Sequence, residues 1–447
     1  REIVSKSGNK GCCYKQLWIK KQSSGLPVPR QGVLDCRYIN RMDNKSNSLS
    51  TAQILICGAA IVTLAMGIRH GFGLWLQPIT QEYGWDRESF SLAIAIQNLS
   101  WGFFGIFAGM LADRFGAFRV LIAGAIFYAL GLCGMAFTSQ PLLFILTTGV
   151  LIGAAQAGTT YAIIYGIIGR NIAAERRSWA MGVAAAAGSF GQFLMVPVEG
   201  QLIYQLGWHN ALTVLAVAVL LIIPLAYGLR ESSFAGGKAP VRDQTILQAL
   251  REAARYPSFQ WLMAGYFVCG FQVVFIGVHM PSYLRDHDFA PHVAAYSLGL
   301  IGLFNVIGTY AAGLLGQRIA NRKILSGIYL ARAVVISVFV IAPLTPTSVY
   351  IFSAVMGVLW LSTVPPTNAI VAGIFGVSHL SMLGGFVFFS HQIGSFMGVW
   401  LGGLLYDTTG SYDVVWYLAI ALGLIASALN LPINEASIER NNQLQPA

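Results

Sequence analysis

Charge is scarce in the most apolar parts of this sequence, so the few ionisable side chains found there mark where chemistry can occur. Arg69 and His70 stand side by side in the first long apolar run. Glu199 falls near the end of the fifth, Arg332 near the middle of the ninth and His391 near the middle of the eleventh. A charged side chain at the centre of a bilayer costs roughly 2.5–3.5 kcal/mol on insertion scales, so each needs a function or a partner. A guanidinium offers a planar fork that grips a carboxylate with two bonds. An imidazole titrates near pH 6.5 and can accept or release a proton. The set does not read as an enzyme. There is no nucleophile–base motif, no His-Glu-x-x-His metal spacing and no carboxylate pair at membrane depth. No cofactor or metal is expected.

The elements that must position these residues are membrane helices. Of 447 residues, 55% are hydrophobic and 10% charged, against about 25% charged in a soluble domain. Apolar runs of roughly 20 residues, enough to cross a bilayer, recur with short polar breaks. Twelve spans are predicted, at 52–77, 88–112, 118–137, 141–168, 177–201, 208–229, 257–283, 291–315, 323–342, 346–372, 379–405 and 413–433. The polar break divides the chain into an N-terminal half (51–229), a cytoplasmic linker (230–256), a C-terminal half (257–433) and a cytoplasmic tail (434–447).

The formal charge of +10 is a topology signal and not a nucleic-acid signature. Residues 1–50 hold ten Lys or Arg against Glu2, Asp35 and Asp43. Most other basic residues flank one side of the spans, and the opposite connections carry only Arg87 and Arg285, which places both termini inside. Acidic residues, among them Glu82, Glu88, Asp286 and Asp407, gather on the outer loops. Residues 1–50 are expected to be a disordered basic extension, and 1–41 to be foreign to the native protein, with Met42 a natural start. Cys57, Cys133 and Cys269 read as packing residues, and Cys12, Cys13 and Cys36 as free thiols.

An internal repeat supports two related halves. Gly109-Met-Leu-Ala-Asp113-Arg114-Phe-Gly116-Ala-Phe-Arg119 follows span two, and Gly313-Leu-Leu-Gly-Gln317-Arg318-Ile-Ala-Asn-Arg322-Lys323 follows span eight. Parallel halves related by an axis along the membrane normal place a substrate site at their interface, near the midplane. Glycine pairs and triplets (Gly105 and Gly109, Gly188 and Gly191, Gly394, Gly398 and Gly402) read as faces that let helices approach closely.

The Gly-x-x-x-Asp-Arg-x-Gly signature after span two resembles the loop motif of the major facilitator superfamily. The segment Gly67-Ile-Arg69-His70-Gly71-Phe72-Gly73-Leu-Trp75-Leu-Gln-Pro78, followed by Gly84-Trp85-Asp-Arg87-Glu-Ser-Phe90-Ser91, resembles its monocarboxylate transporter and oxalate–formate antiporter branch. The resemblance implies an all-α membrane protein with twelve helices in two pseudo-symmetric six-helix halves, the major facilitator fold. It also implies a gate at Asp113, Arg114, Arg119 and Arg318. The chain departs from the pattern at Ala117 and Phe118, where basic residues are usual, and at Gln317, which replaces the acid of the second copy. The Asp and Arg that animal monocarboxylate carriers keep in span eight correspond to Asn305 and Thr309.

In that fold spans one, four, seven and ten line the cavity. The implied substrate-binding set is Arg69 and His70 from span one, Gln156, Thr160, Tyr161 and Tyr165 from span four, Gln272 from span seven and Asn368 from span ten. His391 joins them as a candidate proton carrier, and Asn305 and Gln192 contribute from spans eight and five. Pro365 and Pro366 are expected to break span ten. Arg332, on a supporting helix, is expected to bond carbonyls or polar side chains. The reading is a secondary active transporter of a small organic anion, a carboxylate, working by alternating access. A proton or counter-anion is the candidate coupled species. The protein is expected to be monomeric in a plasma or bacterial inner membrane, with the bilayer and the solute as its partners. The rivals are a carrier of a neutral or amphipathic solute and a non-transporting receptor.

Overall fold

The computed structural model describes residues 49–230, 246–376 and 380–438. The basic extension up to residue 48, Lys238 and Arg242 of the linker, and the side chain of Asp113 lie outside the described set. Among the described residues every regular element is helical. Eleven of the described helices are long and apolar enough to cross a membrane. One of them, Trp179–Tyr227, runs 49 residues and covers nearly all of both the fifth and the sixth predicted spans. Gly207, at φ 77, interrupts it where the sixth span begins; glycine adopts this left-handed geometry without a Cβ penalty. The described residues therefore cross twelve times.

Helix starts follow from sequence. Pro141, Pro257, Pro291 and Pro346 occupy first-turn positions, where the missing N–H has no intrahelical partner anyway. Ser50 caps span one by accepting from Gln53 N at 3.1 Å. The Gln53 side chain bonds Gly228 O at 2.6 Å, so span one begins on the same side as span six ends. That side is called the terminal side here, and the opposite one the far side. The linker, expected to be only a polar break, carries a helix at Ile246–Arg255.

Three spans are broken. Span one covers Thr51–Tyr83, six residues beyond its predicted end at 77, as a helix to His70, a tight turn Phe72–Trp75 and a helix Leu76–Tyr83. This extension moves Arg69 from the outer half of the span to near its middle. Span four contains a π-helical stretch Ile145–Leu151 and an extended residue at Thr160. Span ten is a helix Pro346–Leu359, a break, and a helix Val364–Phe375, with Pro365 and Pro366 in the first turn of its second part.

Spans one and five pack together, as do spans seven and eleven, while spans two against eleven and five against eight join the halves. Glycine makes these contacts close. A β-carbon on Gly191 would collide with Thr63 O, and one on Gly394 or Gly398 with the carbonyls of Phe267 or Phe271. The joint between the halves is tight on the far side and loosens toward the terminal side. Gly403 abuts Glu88 and Ser91, and Gly102 abuts Phe389 and Gln392, but nothing lies within 4 Å of a β-carbon at Gly105, Gly109 or Gly385. Gly102, Gly105 and Gly109 share one helix face by their spacing, so spans two and eleven diverge along it. Gly105 and Gly109 thus depart from the expected close packing, because they lie where the halves have separated. The molecule is closed on the far side and open on the terminal side.

Candidate substrate site between the halves

A cavity lies between the halves. Small-solute sites combine apolar walls with a few placed polar groups. The N-terminal half contributes Arg69, His70, Gln97, Asn98 and Gln192, and the C-terminal half contributes Val273, Val274, Gly277, Val278 and Trp360.

Arg69 is held by neutral groups. Its Nη2 donates to Asn98 Oδ1 at 2.5 Å, and its Cζ lies 4.7 Å from the centre of the Trp101 ring, an attractive cation–π distance. The Nε–H has no hydrogen-bond partner, and no carboxylate pairs with the guanidinium among the described residues. His70 is oriented by Met66 O, 2.6 Å from Nδ1. Across the cavity the indole N–H of Trp360, a residue only 1% exposed, is also unpartnered, as is Gln192 Oε1. The arrangement offers one cation and two open donors among apolar walls, which suits a solute with a negative end and an apolar body.

The remaining sequence candidates fall behind this layer or away from it. Gln156 reaches Gln97 Oε1 at 3.4 Å and so backs the cavity wall. Thr160 returns its hydroxyl to Gln156 O at 2.7 Å, satisfying a carbonyl at the break of span four. Tyr161 stacks near Tyr165 at 5.7 Å between ring centres and its hydroxyl covers Gly188. Gln272 donates to Ala419 O at 2.8 Å. His391 lies against Phe388 and Tyr266 with Gln392 Oε1 3.1 Å from Nδ1. Asn368 is exposed on the terminal-side part of span ten.

Asn305 is a crosspiece and does not line the cavity. It donates to Ser189 Oγ at 2.8 Å and accepts from Leu361 N at 2.9 Å and Thr309 Oγ1 at 3.1 Å, so span five, span eight and the break in span ten share one amide. Arg332, 0% exposed, does the same from span nine. Its Nε and Nη2 donate to Leu359 O at 3.1 and 2.7 Å, and Nη2 also reaches Trp360 O. The carbonyls freed by the break are thereby satisfied by side chains and do not face a solute.

Sequence reasoning missed the far-side latch. Arg87 donates to both oxygens of Asp286 at 2.7 and 2.6 Å and to Tyr412 Oη at 2.8 Å, with its Cζ 3.7 Å above the Tyr406 ring. Gln77 adds a bond to Asp286 at 2.8 Å. The Asp407 carboxylate accepts from the backbone N–H groups of Arg87 and Glu88 at 3.2 and 2.7 Å, capping span two from span eleven. Burial pushes the Tyr412 phenol above its ordinary range, so it stays protonated. On the terminal side Arg114, Arg119 and Arg318 are exposed.

Residues 55–370 match the sequence profile of the Major Facilitator Superfamily. The chain is 21% identical over 374 residues to an uncharacterized MFS-type transporter, YcxA, of Bacillus subtilis (strain 168), covering 81% of this chain and 90% of that one. It is 26% identical over 348 residues to monocarboxylate transporter 13 of Bos taurus, covering 76% and 78%. Two solved structures are similar. A bacterial homolog of the human lysosomal transporter Spinster, inward-facing and unoccupied, has a TM-score of 0.66 at 15% identity, covering 85% of this chain and 98% of that chain. The inward-open xylose transporter XylE from E. coli has a TM-score of 0.67 at 14% identity, covering 86% and 96%. The shared fold, the twelve crossings and the sequence match agree: this chain belongs to the Major Facilitator Superfamily and is a multi-pass membrane transporter.

Proposed function

We propose that the protein carries a small organic anion, a carboxylate, by alternating access, with Arg69 as the residue that grips it. The observation that carries this reading is the guanidinium near the middle of span one, bordering the cavity between the halves and matched by no carboxylate among the described residues. Similarity to monocarboxylate transporter 13 supports the same solute class. The far side, closed by Arg87 and Asp286, faces the exterior of a plasma or bacterial inner membrane, and both termini are cytoplasmic. Asp113, Arg114, Arg119 and Arg318 then form the gate of the opposite side, which engages when the terminal side shuts.

Uptake of labelled mono- and dicarboxylates into vesicles containing the purified protein tests this. Arg69→Gln removes a charge-assisted bond of roughly 1.5–3 kcal/mol, so carboxylate affinity falls about ten- to a hundredfold. Arg69→Lys restores only part, because an ammonium lacks the planar fork. Unchanged affinity in a folded Arg69→Gln protein refutes the anion site. A second reading, a neutral or amphipathic solute, draws on the apolar wall of Val273, Val274, Val278 and Trp360; transport of hydrophobic dyes with no response to carboxylates would favour it. Binding without movement across the vesicle membrane would mark a receptor.

A further inference from the structure

Glu199 takes no part in the cavity above. It is fully buried on span five, and neither carboxyl oxygen has a hydrogen-bond partner. The carboxyl lies against Gly71 so closely that a β-carbon there would collide with Oε2. Gly71 is where span one leaves its first helix for the tight turn Phe72–Trp75. The next residue of span five, Gly200, lines a second cavity, on the far side, with Gln77, Pro281, Ser282 and Ala294. A β-carbon on Gly200 would meet the Ala295 methyl of span eight at 2.8 Å. Glu199 is thus packed against span one of its own half, while its neighbour Gly200 sits at the seam with span eight.

The groups that face it are committed elsewhere. From span one, Arg69 bonds Asn98 and His70 bonds Met66 O. From span three, the Tyr128 phenol lies within electrostatic reach of Glu199 but donates to Ala65 O. Span eight meets Gly200, the next residue, with the Ala295 methyl. An ionised carboxylate stripped of water and of every partner costs several kcal/mol even after relaxation, whereas a neutral acid costs far less.

We infer that Glu199 is a proton-binding site linked to far-side closure: it holds a proton while span eight packs on Gly200 beside it and releases it to water when the halves part there. The inference needs no assumption about the solute. Its consequence is that raising pH favours the far-side-open form, by at most about tenfold per pH unit for a single proton.

The full chain in lipid nanodiscs, with its native cysteines replaced by Ser, tests this. Ala294→Cys places a thiol at a position 2% exposed on the second cavity. Its rate of modification by a polar maleimide, divided by that of an exposed Thr408→Cys control, follows the far-side-open population. The ratio is expected to rise with pH when Glu199 is present and to stay flat in Glu199→Gln. Infrared difference spectra are expected to show a protonated-carboxyl C=O band that fades over the same pH range, shifts in Glu199→Asp and is missing in Glu199→Gln. Absence of that band at every pH overturns the inference without any Glu199 variant, so misfolding of one cannot leave it undecided. An unchanged pH response in Glu199→Gln overturns it too, as does loss of the band on adding sodium at fixed pH, which would make the site a metal site.

Discussion

Replacing Asp286 by Asn tests whether the far-side latch holds the observed conformation. Asp286 accepts three bonds, two from Arg87 and one from Gln77, and the Arg87 and Asp286 side chains are only 13% and 22% exposed. Screening by solvent is therefore modest. The amide keeps the shape but removes the charge and one of the two acceptor oxygens. A charge-assisted bond contributes roughly 1.5–3 kcal/mol, and the loss falls on the closed form alone, because Arg87 and Asp286 belong to halves that part when the far side opens. At about 1.4 kcal/mol per factor of ten, the open population rises about ten- to a hundredfold. The Ala294→Cys modification rate reads that ratio directly, even when the open form is rare. A rate within twofold of the parent in folded Asp286→Asn protein would refute the reasoning and reduce the latch to a surface ion pair of little weight.

Arg332→Gln leaves the carbonyls of Leu359 and Trp360 short of a donor, at about 1–3 kcal/mol for a buried unsatisfied group; thermal unfolding in detergent is expected to show the loss, with any retained carboxylate selectivity intact. Gly105→Leu with Gly109→Leu fills space that is empty here and occupied when the terminal side shuts, so the protein should fold normally yet lose transport, with maleimide access to the terminal-side cleft locked on. Asp113→Asn should slow turnover while keeping the fold, measured as counterflow in vesicles; normal turnover would make Asp113 a helix cap only.

The spans were legible because hydropathy is a local property, and Arg69 was legible because a cation in an apolar run needs no partner to be noticed. Trp360 was not, since an indole reads as apolar until its N–H is seen without an acceptor. Gln97 and Asn98 left a signal, two adjacent amides inside span two, but one that only the third dimension orients toward Arg69. The latch was least legible of all. Arg87 and Asp286 sit 199 positions apart among other loop charges, and nothing local separates a pair that meets from charges that face water. Glu199 was visible as a charge but not as a buried one, because the turn at Gly71 that covers it lies in another span.

The brace from Arg332 to the broken tenth span means that the wall bearing Trp360 is shaped by a residue that never meets the solute. Grafting cavity residues from one relative into another, the usual route to a changed cargo, would transfer the wallpaper without the stud behind it. The stability of that wall thus depends on span nine, and a graft confined to the cavity would carry the lining residues without the support that holds the break in place.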